Sequence, residues 1–171
     1  MRNSIILVIS VFVFFALQAQ PSPQSKKITK KFFPDSESLL PVTPALKKKR
    51  GYTNYKELIS FINDLKESHP SVVSIKYIGE SQKGYKIPVI QIKTISDSEK
   101  IKIWMQAGLH GNEPAGTEGL LYYMHSILNN NSYADLLEGV DLLILPMANI
   151  DGYLKDNRYA ANGLDLNRDQ T

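Results

Sequence analysis

The sequence predicts an α/β fold, a three-layer arrangement with a mixed β-sheet and helices on both faces. Three observations lead there. A stretch with helical apolar spacing comes first, two short β-type runs around a glycine-bearing turn follow, and a strand–helix–strand succession closes the chain. The hairpin-like pair implies antiparallel neighbours and the strand–helix–strand unit a parallel one, so the sheet is mixed.

The elements justify themselves in order. Tyr55, Leu58, Ile59, Ile62 and Leu65 recur at helical spacing, and Asn54 with Glu57 three residues on matches a capping box. His69-Pro70 ends that helix. Val72 to Ile78 reads as a strand, Gly79 to Gly84 as a turn and Ile87 to Lys93 as a second strand, with Pro88 suggesting an edge position or a bulge. Ile101, Ile103, Met105 and Ala107 alternate with Lys102, Trp104 and Gln106, giving a third strand. Leu120, Leu121, Met124, Ile127 and Leu128 mark a helix. The continuous apolar run Leu142 to Leu145 suits a central strand buried on both faces.

The amino-terminal third is different in kind. Arg2 precedes an apolar run from Ile5 to Leu17 broken only by Ser10, and Ala19 offers a small residue for cleavage. That pattern matches a secretory signal over residues 1–19 and is short for a membrane span, which needs about 20 apolar residues. The expectation is export to a secreted or other extracytoplasmic location, with no stable membrane span after cleavage. Residues 20–50 read as a basic linker or short propeptide: Pro21, Pro23, Pro34, Pro41 and Pro44 punctuate it, and Lys47, Lys48, Lys49 and Arg50 close it. The segment holds eight Lys/Arg against two acids, whereas residues 51–171 hold eleven against fifteen. A basic tail on a mildly acidic body lacks the continuous cationic face that nucleic acid requires, so a nucleic-acid partner is not expected.

With 171 residues and no cysteine, metal chemistry has to come from His, Asp and Glu, and there are three histidines. Ligands of open α/β sheets lie beyond the carboxyl ends of the strands. There the third strand runs into Gly108-Leu109-His110-Gly111-Asn112-Glu113-Pro114. His110 and Glu113, three apart, present an imidazole and a carboxylate suited to zinc; a surface pair capping a helix is the plainer reading of the same spacing. The second cluster follows the buried strand: Asn149-Ile150-Asp151-Gly152, Arg158, then Asp165-Leu166-Asn167-Arg168. Its guanidinium and amide groups suit an anion, while ordinary turn chemistry explains Asn, Asp and Gly equally well.

Taken together, the order His-x-x-Glu, Asn-x-Asp-Gly, a lone Arg and Asp-Leu-Asn-Arg resembles the zinc carboxypeptidases of the A/B type, over about Gly51 to Thr171. The resemblance implies one zinc ion with His110 and Glu113 as its first two ligands. It implies Arg158 as the group polarising the scissile carbonyl and stabilising the oxyanion, and Asn167 with Arg168 gripping the substrate's terminal carboxylate. Asp165 would orient His110. The substrate implied is a peptide with a free carboxyl end, the reaction removal of its last residue, and the complete enzyme a monomer. Ile150 and Gln170 depart from the family's usual Pro and aromatic at turn positions.

The family's third ligand, a His, and its general-base Glu fall downstream of the Asn-Arg pair, and the sequence stops at Thr171. The resemblance thus covers about half of a catalytic domain, 51–171, and half of a site. His125, twelve residues after Glu113, lies about 18 Å further along a straight helix and cannot complete it. His69 reads as a helix-end cation and Glu118 and Glu138 as helix-surface acids. A half sheet predicts exposed strand edges. Two other functions suit the same residues: a zinc-dependent deacylase of a small carboxylate-bearing amide, and a non-catalytic carboxylate-binding remnant.

Overall fold

A computed structural model describes residues 25–32, 40–94 and 99–168; the secretory signal expected over residues 1–19 lies outside them. The chain divides into two compact units, Met1–Leu39 and Leu40–Thr171. In the first, Lys26–Phe32 form a helix, α1. The five prolines of the presumed linker fall on either side of this run and none within it, which is why the helix survives in a proline-rich stretch.

The second unit begins at Leu40, earlier than the basic run suggests. Thr43 is fully buried, and Lys48 Nζ donates to the Tyr52 carbonyl at 2.8 Å and to Glu57 Oε2 at 2.6 Å. Residues 40–50 are thereby tied to the start of α2, Tyr55–Ser68. That helix has the expected capping box: the Asn54 side chain accepts from Glu57 N–H, and Glu57 Oε2 accepts from Asn54 N–H. His69 closes it, its N–H donating to the Leu65 carbonyl.

Four strands follow, β1 (Val73–Glu80), β2 (Lys86–Ile92), β3 (Ile101–Gln106) and β4 (Val140–Leu145), in the spatial order β1-β2-β4-β3. β1 and β4 flank β2 antiparallel, and β3 runs parallel to β4. The sheet is mixed, as the element order requires. β2 is an inner strand, so Pro88 is no edge marker. It faces Tyr77, beside a bulge between Tyr77 and Glu80, and β4 pairs only with Ile90 to Ile92. Proline's missing N–H therefore falls where the β4 ladder does not reach.

Between β3 and β4 come α3 (Ala115–Asn129), a 3₁₀ turn (Asn131–Tyr133) and α4 (Ala134–Gly139). The register Val73↔Ile92↔Leu142 and Ile90↔Ile144 puts these side chains on one sheet face. They form one cluster with Leu58, Ile62 and Leu65 of α2 and Leu121, Met124 and Ile127 of α3. Burying each such side chain contributes about 2 kcal/mol. β1 and β3 are the edge strands of this sheet, and on β3 Ile101, Ile103 and Trp104 are exposed, the kind of unpaired edge that invites association.

Pairing continues beyond the last strand residues. Ala107 N–H donates to the Leu145 carbonyl, Ala148 N–H to Ala107 and Asn149 N–H to Gly108, at 3.0, 2.9 and 2.9 Å. The two loops that carry the sequence motifs therefore leave the sheet side by side.

Candidate metal centre

The first loop turns rather than coils. Glu113 N–H donates to the His110 carbonyl at 3.2 Å, and α3 begins only after Pro114. Gly108 sits at φ +66°, a region open mainly to glycine. Gly111 has a different reason: a Cβ there would overlap the backbone of Gly152 and Tyr153 and the Asn157 carbonyl. The glycines thus let the two loops meet backbone to backbone, instead of emptying a cavity.

The second loop contains the short helix α5, Ile150–Tyr153. Asn149 and Asp151 are buried and structural, so they leave the anion cluster suggested by their spacing. Asn149 Oδ1 accepts from Gly152 N–H at 3.0 Å. Asp151 accepts from Ser81 Oγ at 2.8 Å and from Lys83 N–H at 3.2 Å, fastening the β1–β2 turn to this loop.

What remains converges on one imidazole. His110 Nδ1 lies 3.1 Å from Glu113 Oε1, and His110 Nε2 lies 3.1 Å from Asp165 Oδ1. Asp165 does more than orient the ring: its Oδ2 accepts from Arg158 Nε at 2.9 Å, and its Oδ1 also accepts from Asn167 N–H at 3.0 Å. Arg158 Nη1 stands 3.6 Å from Glu113 Oε1. Burial works to raise the Asp165 carboxyl. The hydrogen bonds from Arg158, Asn167 and His110 and the Arg158 charge outweigh it, holding the group below its usual range.

Asn167 and Arg168 join this cluster through the backbone. Arg168 N–H donates to the Asp165 carbonyl at 2.8 Å, and its Nη1 turns back to the Asn167 carbonyl at 3.1 Å. Both side chains are exposed. A cavity of about 510 Å³ opens beside the cluster, lined by Tyr52, Ala107, Leu109, His110, Glu113 and Pro114.

The chemistry of the donors fits a cation. A neutral imidazole donates from one nitrogen only. If Asp165 takes the Nε2 proton, Nδ1 and Glu113 Oε1 are left as two lone-pair donors 3.1 Å apart, pointing at each other. A proton or a metal ion has to sit between them. Among the described residues no group of three or more His, Asp or Glu converges on one point.

Glu118, a helix-surface acid by its position in the sequence, is a clamp in the fold. Its two oxygens accept from Thr53 N–H at 2.7 Å, Thr53 Oγ at 2.8 Å and the Tyr153 hydroxyl at 3.4 Å. Burial, followed by the Glu118 charge and that hydrogen bond, pushes the Tyr153 phenol far above its usual range. Its signal in the sequence is only that it faces inward one turn after Ala115. His69 and His125 lie elsewhere, on a second cavity of about 290 Å³ that Lys47, Asp64 and Phe61 also line.

The class of protein this defines is shown by comparison. A family profile described as zinc carboxypeptidase matches residues 58–170. The chain belongs to the zinc carboxypeptidase family. It is 38% identical over 97 residues to carboxypeptidase 2 of Trichophyton rubrum, covering 53% of this chain and 18% of that one. Against human carboxypeptidase B2 it is 30% identical over 135 residues, 68% of this chain and 32% of the relative. Among solved structures, carboxypeptidase A of Helicoverpa armigera superposes with a TM-score of 0.61 at 27% identity, over 68% of this chain and 32% of that structure. The chain spans about a fifth to a third of the length of these relatives.

Proposed function

We propose that this chain carries the first half of the active site of a zinc-dependent metallocarboxypeptidase, acting outside the cytoplasm on peptides with a free carboxyl end. The observation that carries it is the single imidazole set between two carboxylates, with a guanidinium bound to one and close to the other.

His110 through Nδ1 and Glu113 would hold one zinc ion, which when bound polarises a carbonyl and acidifies water. Asp165 fixes the ring by accepting from Nε2, a bond that also raises the basicity of Nδ1. The same carboxylate aims Arg158, whose terminal N–H groups, on the side facing Glu113, would meet negative charge developing on a carbonyl oxygen; preorganised donors stabilise that charge most. Asn167 and Arg168 supply an amide and a guanidinium for a terminal carboxylate. Turnover also needs a third ligand and a general base, which the resemblance places after Arg168. The apolar leader supports the extracytoplasmic assignment.

The test uses the protein as the producing cell releases it. Its intact mass, zinc content and activity on matched peptides with free and amidated carboxyl ends are measured together. One zinc per molecule and cleavage of the free-ended peptide alone are expected. Equal cleavage of both, or activity undiminished after zinc removal by a chelator, overturns the reading.

A further inference from the structure

The helix α1 has a composition unlike the rest of the chain. Its sequence, KKITKKF, holds four lysines and no acid. Ile28 and Phe32 are four apart and so share one side of the helix. They are 43% and 63% exposed, and all four lysines are exposed around them. Lys31 Nζ lies 5.1 Å from the centre of the Phe32 ring. An isolated helix of two turns does not hold itself together in water. An apolar stripe flanked by lysines is stabilised when the stripe leaves water and the lysines meet negative charge.

The compact body carries its own basic group independently. Lys47, Lys49 and Arg50 are exposed beside Leu46, whereas Lys48 is committed to Tyr52 and Glu57. Each cluster can meet an extended surface by itself. The rest of the body has more acids than bases, so its cationic attraction is local to Lys47, Lys49 and Arg50.

We propose that helix α1 is an adhesion element for an anionic lipid surface, with Ile28 and Phe32 entering the boundary between headgroups and acyl chains. Lysines meet the lipid phosphates at the same depth. The exposed apolar pair selects a bilayer over a soluble polyanion. Phosphates on a nucleic acid or sulfates on a polysaccharide would use the lysines and leave Ile28 and Phe32 in water.

The test compares sedimentation of the full chain with vesicles of phosphatidylcholine alone and with vesicles carrying about a quarter phosphatidylglycerol. Binding common to both vesicle types is set aside, so the difference between them is the quantity read. At low salt the charged vesicles are expected to bind about tenfold or more better. The combined K26Q/K27Q/K30Q/K31Q variant loses most of that increment, K47Q/K49Q/R50Q loses part, and K66Q/K93Q/K102Q on the body loses none. The I28S/F32S variant loses the share that survives high salt. Equal binding to both vesicle types, or an undiminished increment in the four-lysine variant, overturns the proposal. Undiminished binding by I28S/F32S also overturns it and points to a polyanion instead.

Discussion

The body contains two histidine neighbourhoods that differ in the charge gathered around the ring. His110 is nearly buried, in a loop, with a carboxylate on each ring nitrogen. His69 and His125 are half-buried on helix ends and faces, sharing a cavity with Lys47 and one acid, Asp64. Burial and the nearby positive charges of Lys47 and His69 push His125 below its ordinary value. The first environment collects negative groups around an imidazole and the second collects positive ones. What sets the candidate ligand apart from the packed histidines is the sign of its surroundings, and that depends on loops brought together from 55 residues apart.

The comparison breaks most violently at Gly111. Gly111→Ala forces a Cβ into the backbone of the facing loop, and a loss of roughly 3 kcal/mol is expected, read as a fall in denaturant midpoint at unchanged slope. Gly119→Ala, where a Cβ meets nothing within 4 Å, is the matched control. Next comes the carboxylate that organises the first neighbourhood. Asp165→Asn removes the negative charge and leaves one acceptor oxygen where His110 and Arg158 use two, and should weaken zinc binding about 10- to 100-fold by calorimetry. His69→Gln and His125→Gln should leave zinc affinity unchanged; a comparable loss in either would erase the distinction drawn above.

A smaller effect tests the body's own capping. Asn54→Ala should cost about 1 kcal/mol in thermal unfolding. The smallest is a pH dependence. Because folding lowers the His125 pKa, the unfolded chain binds more protons, and this group's contribution is intact above the ordinary histidine range. It is lost as pH falls through that range towards the depressed value. His125→Gln should therefore flatten the acid-side decline in melting temperature. Glu57 behaves in the same direction at lower pH: burial opposes its ionisation, but Lys48 and the Asn54 N–H hold it below its usual range.

Much of the architecture is legible from periodicity. The capping box at Asn54 and Glu57, the hairpin, the buried β4 and the α3 stripe follow from local patterns. Helix α1 is not, because five prolines overshadow a seven-residue run that contains none. Pro88 is legible in one of its two readings: the bulge lies beside it, whereas whether a strand is inner or edge depends on neighbours the local pattern does not name. In the site, the pairing of His110 with Glu113 is local, three residues apart. The double use of Asp165, the clamp made by Glu118 and the burial of Asp151 are contacts between distant segments, and no spacing rule announces them. Asn149 and Asp151 show the limit: by spacing they suit an anion site, and in the fold they hold loops together.

The edge strand β3 has one more consequence. Trp104 is the chain's single tryptophan, 49% exposed on β3, with its indole N–H donating to the Gln106 side chain at 3.1 Å. Ala107 and Gly108 then lead into the loop that carries His110. The protein's intrinsic fluorescence therefore originates at its least covered strand. Whatever pairs with that edge, whether further chain, a second molecule or an aggregate, will strip water from the indole and shift its emission to shorter wavelength, so this molecule reports its own sheet completion without a label.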